Sequence, residues 1–284
     1  MLKSDLKYWL LLQRIEGIGS ATLRSLIEKF GNAQSVFSSN IKTLLSIPRI
    51  NHKIAEDILT AEKDLELIDS ILDELKRHKI RIVTYQDTAY PDALKNIANP
   101  PAILYIKGEM FSGKSIAIIG TREASALGKR YAQEFAYALV HAGYIIVSGY
   151  AKGIDTYAHL GTISAGGKTI AVLPLGILKF TFHPELLEFA ETFFNQATVI
   201  SEFFPYSEWS VGNALSRNRI TSALADKILV IEAGDSGGTI NTVEHAHKQG
   251  KPVYLFQKIS SPADEPIRKL GAIPINAVEE LLDN

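Results

Sequence analysis

The chain has 284 residues, of which 46% are hydrophobic and 21% are charged. This composition is typical of a folded protein with its own core and excludes a disordered chain. The absence of cysteine excludes disulfides, thiol catalysis and cysteine-ligated zinc. The formal net charge of −1 excludes a generally basic surface. A nucleic-acid site would therefore depend on a local patch of positive charge.

The N-terminus contains a short apolar run that charged residues interrupt. This run is too short to cross a bilayer, and no small-residue cleavage site for secretion follows it. We therefore expect a cytoplasmic protein that makes no membrane contact.

Residues 1–75 are predicted to form a small helical domain of the helix-hairpin-helix or SAM-like type. The segment Gly17–Gly19 separates two helical runs, and Ser20 is the expected cap of the second run. A similar but weaker break between helical runs occurs at Ile47–Asn51. The evidence for helices is the spacing of apolar residues by three or four positions, at Tyr8, Leu11, Leu12 and Ile15, and again at Leu23, Leu26, Ile27 and Phe30.

Residues 76–284 are predicted to form an α/β domain, with two lead-in strands at Arg81–Tyr85 and Ile103–Lys107. Apolar, β-branched runs then alternate with amphipathic helical stretches such as Arg130–Ala142 and Ile240–Gln249. This alternation predicts a doubly wound, Rossmann-like, mostly parallel sheet covered on both faces. The main strands are predicted at Ile116–Ile119, Tyr144–Ser148, Thr169–Leu173, Thr198–Ser201, Lys227–Glu232 and Val253–Phe256.

The ends of the first two main strands carry glycine, hydroxyl and cationic residues. Gly120–Arg122 follows the first strand and Ser148–Gly153 follows the second. Ligands of an open parallel sheet bind at the carboxyl ends of its strands. Glycine permits close backbone approach, free amides hold anions, and arginine offers a bidentate fork to phosphate. The two segments therefore predict a phosphate cradle, although a tight turn with a solvated arginine is the competing interpretation of the first.

Two later segments have the same character. Ser216–Arg219 places two arginines around an asparagine at an expected helix start, and Ser236–Thr239 opens the helix after the fifth strand. The phosphate-loop lysine and the dinucleotide glycine fingerprint are both missing, so neither ATP hydrolysis nor NAD chemistry is expected. His245 and His247 face apart on a helix and are poor metal partners. We expect no cofactor and no metal.

Asp155 and His159 lie four residues apart, on one face of a predicted helix. This spacing is compatible with acid–base chemistry. The favoured interpretation is structural, with His159 packed in the core and Asp155 orienting the backbone or Lys152, because a carboxylate suits a phosphate site poorly.

In their order, these segments resemble the DNA-processing protein A family (DprA, also called Smf). The resemblance covers most of the chain from about residue 80. Upstream, Tyr90-Pro91, Pro100-Pro101 and Tyr105–Gly108 also resemble that family. The matching segments are Gly120–Arg122, Ser148–Asp155 with Ala158-His159, Thr169–Leu173, His183-Pro184, Ser201-Glu202, Arg217–Arg219, Glu232-Ala233 and Ser236-Gly237.

The resemblance implies a single-stranded DNA-binding protein that is not an enzyme and that helps load a RecA-type recombinase, in natural transformation or recombination. It also implies a homodimer through residues 262–275, which include Ile267, Leu270 and Ile273, and the alternative is that these residues pack back on the sheet as a final hairpin. Alanine at Arg122, Arg217 or Lys152 is expected to weaken binding and to leave the fold intact. The implied DNA-binding residues are Gly120, Thr121, Arg122, Ser148, Gly149, Lys152, Gly153, Arg217, Asn218, Arg219, Ser236, Gly237, Gly238 and Thr239.

The sequence departs from the family in three places. Ala214-Leu215 stands where the family has Phe-Pro, which leaves open whether Trp209 or Phe204 supplies an aromatic surface for a base. Phe256-Gln257 replaces the family's Pro-Gly, and the sequence printed ends at Asn284 without a winged-helix-like tail.

Two other functions stay open. One is a nucleoside-monophosphate phosphoribohydrolase of the same superfamily, although Ile240 and Asn241 replace a glycine and a threonine in the signature that ends at Glu244. The other is a nucleotide-sensing module that holds a small signalling nucleotide in the same cradle.

Overall fold

The computed structural model describes residues 3–234 and 237–282. They divide into two compact units, Met1–Ile106 with Glu202–Ser207, and Lys107–Ser201 with Glu208–Asn284. The sequence predicts a boundary at residue 75, whereas the structure assigns most of the lead-in segment to the N-terminal unit. The reason lies in side-chain contacts: buried Tyr105 donates a hydrogen bond to Gln13 Oε1 at 2.6 Å, and Arg24 donates to the carbonyl oxygen of Pro100.

The first unit is helical at its start, as predicted. Asparagine side chains cap three of its helices, where Asn32, Asn40 and Asn51 each accept a hydrogen bond from the backbone N–H three residues later. The elements are α1 (Lys3–Arg14), α2 (Ser20–Phe30), α3 (Ala33–Phe37), α4 (Ile41–Leu45), α5 (His52–Thr60), α6 (Leu65–Arg77), β1 (Ile80–Thr84), α7 (Asp92–Lys95) and β2 (Ile103–Lys107).

Ser20 does not cap α2 as the sequence predicts. It is the first residue of the helix, and Gly19 occupies the cap position without a side-chain hydrogen bond. The Ser20 hydroxyl instead donates to Glu202 Oε2 at 3.3 Å, within the same unit. The core of this unit includes Trp9, Leu11 and Leu12, all fully buried.

The second unit is the predicted α/β domain. Its elements are β3 (Ser115–Ile119), α8 (Ala126–His141), β4 (Ile145–Ser148), α9 (Ile154–Ser164), β5 (Thr169–Val172), α10 (Phe193–Gln196), β6 (Ala197–Ser201), α11 (Val211–Ala223), β7 (Lys227–Val230), α12 (Gly238–Lys248), β8 (Val253–Phe256), α13 (Asp264–Lys269) and β9 (Ile273–Ile275). Short 3-10 turns lie at Ile177–Lys179, Pro184–Phe189 and Val278–Leu281.

The strands of this unit form a parallel sheet in the order β6-β5-β4-β3-β7-β8-β9. The chain builds outward from β3 through β4, β5 and β6, and then returns to the other side of β3 to build β7, β8 and β9. This reversal is the doubly wound arrangement expected from the sequence. It creates a topological switch point between β3 and β7, where ligands of such sheets bind.

An apolar core holds α8 and α9 against this sheet. It includes Ile116 and Ile118 of β3, Phe135 of α8, Leu229 of β7 and Phe256 of β8. The rings of Phe135 and Phe256 meet edge to face, with centroids 5.0 Å apart. The core thereby fixes the strands whose ends carry the predicted site.

The segment 262–275 forms α13 and β9. It packs on the sheet, as the alternative to a dimer interface predicts, but β9 pairs in parallel with β8 and the two do not form a hairpin. Ile267 is fully buried, so it is not available to a partner subunit. Ile273, in contrast, is 47% exposed. Within the described residues, β9 ends the sheet on this side. No helix in the described part of the chain is both long and apolar enough to cross a bilayer.

Candidate nucleic-acid interface

A pocket of about 420 Å³ opens at the carboxyl ends of β3 and β4 and beside the start of α12. It lies at the switch point of the sheet, where the sequence predicts the site. The predicted residues that line it are Gly120, Thr121, Arg122, Gly149, Arg217, Asn218, Gly237, Gly238 and Thr239.

The other predicted residues lie elsewhere. Lys152 lines an adjoining pocket, and Gly153 is buried next to the loop that follows β3. Ser148 is buried, and its hydroxyl donates to the carbonyl oxygen of Ile118. Arg219 is buried and donates from Nη1 to the carbonyl oxygen of Ser216 at 2.6 Å. Ser236 falls outside the described residues.

Glycines allow the loops after β3 and β4 to approach each other. Gly153 has φ +80°, and a Cβ there would lie 2.3 Å from the carbonyl oxygen of Thr121. A Cβ on Gly120 would lie 2.5 Å from the carbonyl oxygen of Glu232. The backbone N–H of Thr121 donates to that same oxygen at 2.8 Å. The loop that carries Arg122 is therefore held by backbone contacts that only glycine permits.

Glu232 holds the other end of this loop. Its Oε2 accepts hydrogen bonds from the backbone N–H and from the hydroxyl of Ser125, both at 3.0 Å. Ser125 in turn caps α8 by accepting from the N–H of Gly128 at 3.0 Å. The Arg122 side chain itself is exposed, with its guanidinium 5.1 Å from the ring centroid of Trp209. An exposed cation is thus presented from a fixed backbone.

Arg217 differs from Arg122 because it is buried, with 4% of its surface exposed. Its Nη1 donates to the carbonyl oxygens of Gly149 and Val172. Burial lowers the pKa of the guanidinium to about 10, the Asp155 charge opposes this, and the Arg122 charge acts with it. Arg217 therefore keeps its positive charge at neutral pH.

Asp155 lies in the first turn of α9 and is buried. Burial raises the pKa of its carboxyl, against the charge of Arg217 and hydrogen bonds from Ala151, Ser148 and Gly149. The N–H of Ala151 donates to Asp155 Oδ2 at 3.3 Å. Asp155 therefore contacts the backbone after β4, as its structural interpretation predicts.

His159 is also structural. It is fully buried, and its Nδ1 lies 2.7 Å from the Thr169 hydroxyl. That hydroxyl donates to the carbonyl oxygen of Ile146 at 2.8 Å, so the imidazole donates from Nδ1. Burial lowers the pKa of His159 to about 3, helped by the charges of His183 and Arg217. A neutral, enclosed imidazole is a core residue, as expected.

The arginine cluster does not lie at a helix start. α11 begins at Val211, and Ser210 caps it by accepting from the N–H of Asn213 at 3.0 Å. Arg217 and Asn218 therefore lie in the middle of the helix, and their anion-binding capacity comes from their side chains. Asn218 Nδ2 donates to the carbonyl oxygen of Gly238 at 3.1 Å and so fixes the start of α12.

The N-terminus of α12 lines the pocket, as the sequence predicts. It runs from Gly238 to Lys248, with Gly237 at its cap position. Among the described residues, nothing lies within 4 Å of a Cβ placed on Gly237 or Gly238, so this helix end has open space beside it in that part of the chain. Backbone amides at a helix N-terminus that face a pocket favour an anion.

A second pocket, of about 290 Å³, adjoins the first and shares Arg122, Ala151 and Trp209 with it. Lys152 and Lys179 are its cations. Its aromatic residues are Tyr150, Phe180, His183 and Trp209, with the Tyr150 ring 5.1 Å from that of Phe180 and 4.7 Å from that of His183.

The sequence did not predict this aromatic pocket. Phe180 and Phe182 belong to a stretch without helix or strand periodicity. The close spacing of these phenylalanines was the one feature of the sequence that could have indicated an aromatic cluster. Of the two residues considered for an aromatic surface, Trp209 lines both pockets, while Phe204 belongs to the N-terminal unit. Among the described residues, no group of three or more histidine or acidic side chains is placed to hold a metal ion.

Comparison with known proteins agrees with this geometry. Residues 81–283 match the family model of DNA recombination-mediator protein A, and residues 10–64 match that of a SAM-like helix-hairpin-helix tandem. Protein Smf of Synechocystis sp. is 30% identical over 260 residues, which cover 89% of this chain. The alignment spans 65% of the length of that relative, so this chain corresponds to only part of it.

Two solved structures are also similar. DNA processing protein A from Streptococcus pneumoniae has a TM-score of 0.77 and 23% identity, covering 97% of this chain and 96% of that one. DNA processing protein A from Helicobacter pylori has a TM-score of 0.62 and 26% identity, covering 72% of this chain and 94% of that one. The latter structure is described as showing a single-stranded DNA binding mode.

Proposed function

The chain belongs to the DNA recombination-mediator protein A family, and from this premise we propose that it binds single-stranded DNA in the pocket at the ends of β3 and β4. The observation that carries the proposal is the convergence of Arg122, Arg217 and the first amides of α12 on one pocket. Phosphate is the group that suits such a set of donors. The Helicobacter pylori relative is described as binding single-stranded DNA.

The pocket compensates for the low overall charge. With a net charge of −1, the chain has no general attraction for DNA. Arg122, Arg217 and Lys152 concentrate positive charge along the two adjoining pockets. Because no helix-turn-helix motif is recognised in the sequence, we expect contacts to phosphates and base faces, with little sequence preference.

Titration of labelled oligo-dT, followed by fluorescence anisotropy, tests the proposal. Each phosphate contact should add roughly 0.7 to the slope of log affinity against log salt. Arg122→Ala and Lys152→Ala should lower the affinity without changing the melting temperature. Equal affinity for duplex and single-stranded DNA would contradict the proposal. Stabilisation by a small nucleotide but not by oligo-dT, in a thermal-shift screen, would instead favour the nucleotide-sensing module.

We also propose that the chain holds its ligand without cleaving it. Among the described residues that line the pocket, Asp155 is the acidic one, and its carboxylate is engaged with the N–H of Ala151 and the charge of Arg217. It is therefore poorly placed to act as a general base. Incubation with AMP, followed by chromatography, tests this proposal, since released adenine would favour the phosphoribohydrolase.

We further propose that the chain acts in the cytoplasm and delivers single-stranded DNA to a RecA-type recombinase during transformation or recombination. The description of the family as a recombination mediator supports the recombination part of this proposal. A strand held by its phosphates leaves other parts of the strand free for the recombinase. The expected result is faster RecA filament formation on strands coated with single-strand-binding protein, measured by RecA ATPase activity. No change in that rate would remove this part of the proposal.

We further propose a homodimer through residues 262–275. Ile273 supports this proposal because it is exposed on β9, at the end of the sheet in the described residues. Strands in that position offer unpaired backbone groups to a second chain. A two-fold pair would place two DNA sites in one particle.

A further inference from the structure

Trp209 occupies an unusual position for a large aromatic residue. It lines both pockets of the interface, yet 46% of its surface is exposed. Apolar rings of this size are normally buried, where they contribute to a core. An indole that stands at the junction of two pockets is instead available to a ligand.

The neighbours of Trp209 hold it in this position. On its N-terminal side, Glu208 Oε1 accepts an ion pair from Lys179 Nζ at 2.5 Å. On its C-terminal side, Ser210 caps α11 through a hydrogen bond from the N–H of Asn213 at 3.0 Å. Both chain neighbours of Trp209 are therefore engaged in contacts of their own, while its ring faces the two pockets.

The Arg122 guanidinium lies 5.1 Å from the Trp209 ring centroid. Together, the two side chains form a wall that belongs to both pockets. The wall combines a phosphate-binding cation with an aromatic surface, and these are the two elements of single-strand recognition without sequence preference.

We propose that Trp209 is a stacking platform for one base of the bound strand, and that the Arg122–Trp209 pair separates two adjacent nucleotide positions, one in each pocket. The proposal rests on the single-stranded DNA binding proposed above and assigns a specific contact within it. The phosphate between the two nucleotides lies on Arg122. Lys152 binds the next phosphate along, on the side of the second pocket.

A comparison of two ligands tests the platform. One ligand is oligo-dT, and the other is a strand of equal length in which every nucleotide is an abasic analogue, so that phosphates are kept and bases are lost. Trp209→Ala should lower the affinity for oligo-dT by between about 5-fold and about 100-fold. Its affinity for the abasic strand should stay within about 2-fold of wild type, because no base is present to stack.

Two further variants serve as controls. Trp209→Phe keeps an aromatic face and should recover most of the preference for oligo-dT over the abasic strand. Tyr137→Ala removes another half-exposed ring, on α8 and outside both pockets, and should leave both affinities unchanged. Wild-type tryptophan fluorescence should change with oligo-dT and not with the abasic strand, since Trp9 is fully buried and the chain has two tryptophans.

The outcomes separate this inference from the proposed function. Failure of the wild-type protein to bind either ligand would refute the proposed function itself. Normal binding of oligo-dT by Trp209→Ala would refute the platform alone. An equal loss of affinity for both ligands would also refute it, because that pattern indicates a disturbed phosphate site and not a lost base contact.

Discussion

Two arginines of the site have the same chemistry and different surroundings. Arg122 is exposed and is free to follow a ligand, whereas Arg217 is buried and donates to the carbonyl oxygens of Gly149 and Val172. Sequence reasoning treats both as surface residues whose loss leaves the fold intact. The structure supports that expectation for Arg122 and argues against it for Arg217, because removing Arg217 leaves buried carbonyls and the Asp155 carboxylate without their cation.

Arg217→Ala should therefore reduce both stability and binding. The expected loss is about 2–5 kcal/mol in the free energy of unfolding, the range for removing one member of a buried charged network. Arg122→Ala should stay within about 0.5 kcal/mol of wild type and should lose DNA binding only. Urea unfolding followed by circular dichroism measures the difference, and equal stability of the two variants would contradict the assignment.

At position 149, the structure leaves no room for a side chain. A Cβ at this position would lie 2.7 Å from Cζ and both terminal nitrogens of Arg217. Gly149→Ala should displace the guanidinium from its two carbonyl oxygens, at a cost of about 1–3 kcal/mol in stability, and weaken binding of oligo-dT. Gly212→Ala is the matched control, since its nearest neighbour is the Ser210 Oγ atom at 3.9 Å. A melting temperature unchanged in both variants would show that Arg217 can move freely.

His159 predicts how stability responds to acid. Its pKa is about 3 in the folded chain and 6.5 in the unfolded chain, so between these values the unfolded state binds the extra proton. The contribution of His159 to the free energy of unfolding is fully present above pH 6.5. It is lost as the pH falls toward 3, at roughly 1.4 kcal/mol per pH unit. The raised pKa of Asp155 acts in the opposite direction at low pH.

A comparison of variants isolates the histidine. His159→Gln cannot take up a proton, so the slope of unfolding free energy against pH between 4 and 6.5 should decrease by about one proton relative to wild type. Identical slopes in wild type and His159→Gln would contradict a buried, neutral imidazole.

At the scale of elements, the strands were the most predictable part of the chain. The predicted strands Ile103–Lys107 and Val253–Phe256 coincide with β2 and β8. The reason is that strands buried on both faces read as continuous apolar runs. β9 was missed because it has three residues, and one of them is Pro274.

The start of α11 could not be found by periodicity. Polar residues of its second half, among them Arg217, Asn218 and Thr221, are buried. Arg217 donates to the carbonyl oxygen of Gly149, and Asn218 donates to that of Gly238. The buried half of α11 therefore lacks the apolar spacing that predicts a helix. The cap residue Ser210 was the sequence feature that still indicated where the helix begins.

Glu232 links β7 to the start of α8, so its loss should affect an element and not a single contact. Glu232→Ala removes two hydrogen bonds to Ser125 and should cost about 1–3 kcal/mol in stability while loosening the Arg122 loop. Glu232→Gln retains an acceptor oxygen and should recover most of both properties. Glu134→Ala, which breaks an exposed pair with Arg130, should change stability by less than about 1 kcal/mol.

Unfolding in urea and titration with oligo-dT measure these effects together. We expect the same order of stability in urea and of affinity for oligo-dT. Glu232→Ala should be lowest in both, Glu232→Gln intermediate, and Glu134→Ala equal to wild type. If Glu232→Ala lowers stability but leaves the affinity for oligo-dT unchanged, Glu232 supports the cap of α8 without positioning Arg122.

At the scale of the molecule, the sequence predicted which loops meet at the pocket but not which aromatic residue stands beside them. Parallel strands bring their carboxyl ends to one edge, so segments distant in sequence, such as Gly120–Arg122 and Gly237–Thr239, were expected to meet there. Trp209 comes from the loop before α11, which has no periodic pattern to place it. Only the folded chain shows that it stands beside Arg122.

The proposed dimer is the last property of the whole molecule to be tested, and the buried position of Ile267 decides which residue to change. A glutamate at Ile267 would place a charge in the core and unfold the chain. Ile273 is exposed, so Ile273→Glu should leave the fold intact and place like charges against each other across a two-fold axis. Light scattering at micromolar concentration should then give a dimer for the wild type and a monomer for the variant.

DNA binding provides a second measurement of the same interface. Two linked sites raise the effective concentration of one for the other, so the wild type should prefer long strands to short ones by more than their lengths alone explain. Ile273→Glu should lose this preference while keeping its affinity for a short oligonucleotide. Leu187→Glu, at an exposed apolar residue outside the segment 262–275, should retain both the dimer and the preference. A monomeric wild type would refute the interface, and a dimeric Ile273→Glu would place it on another surface of the chain.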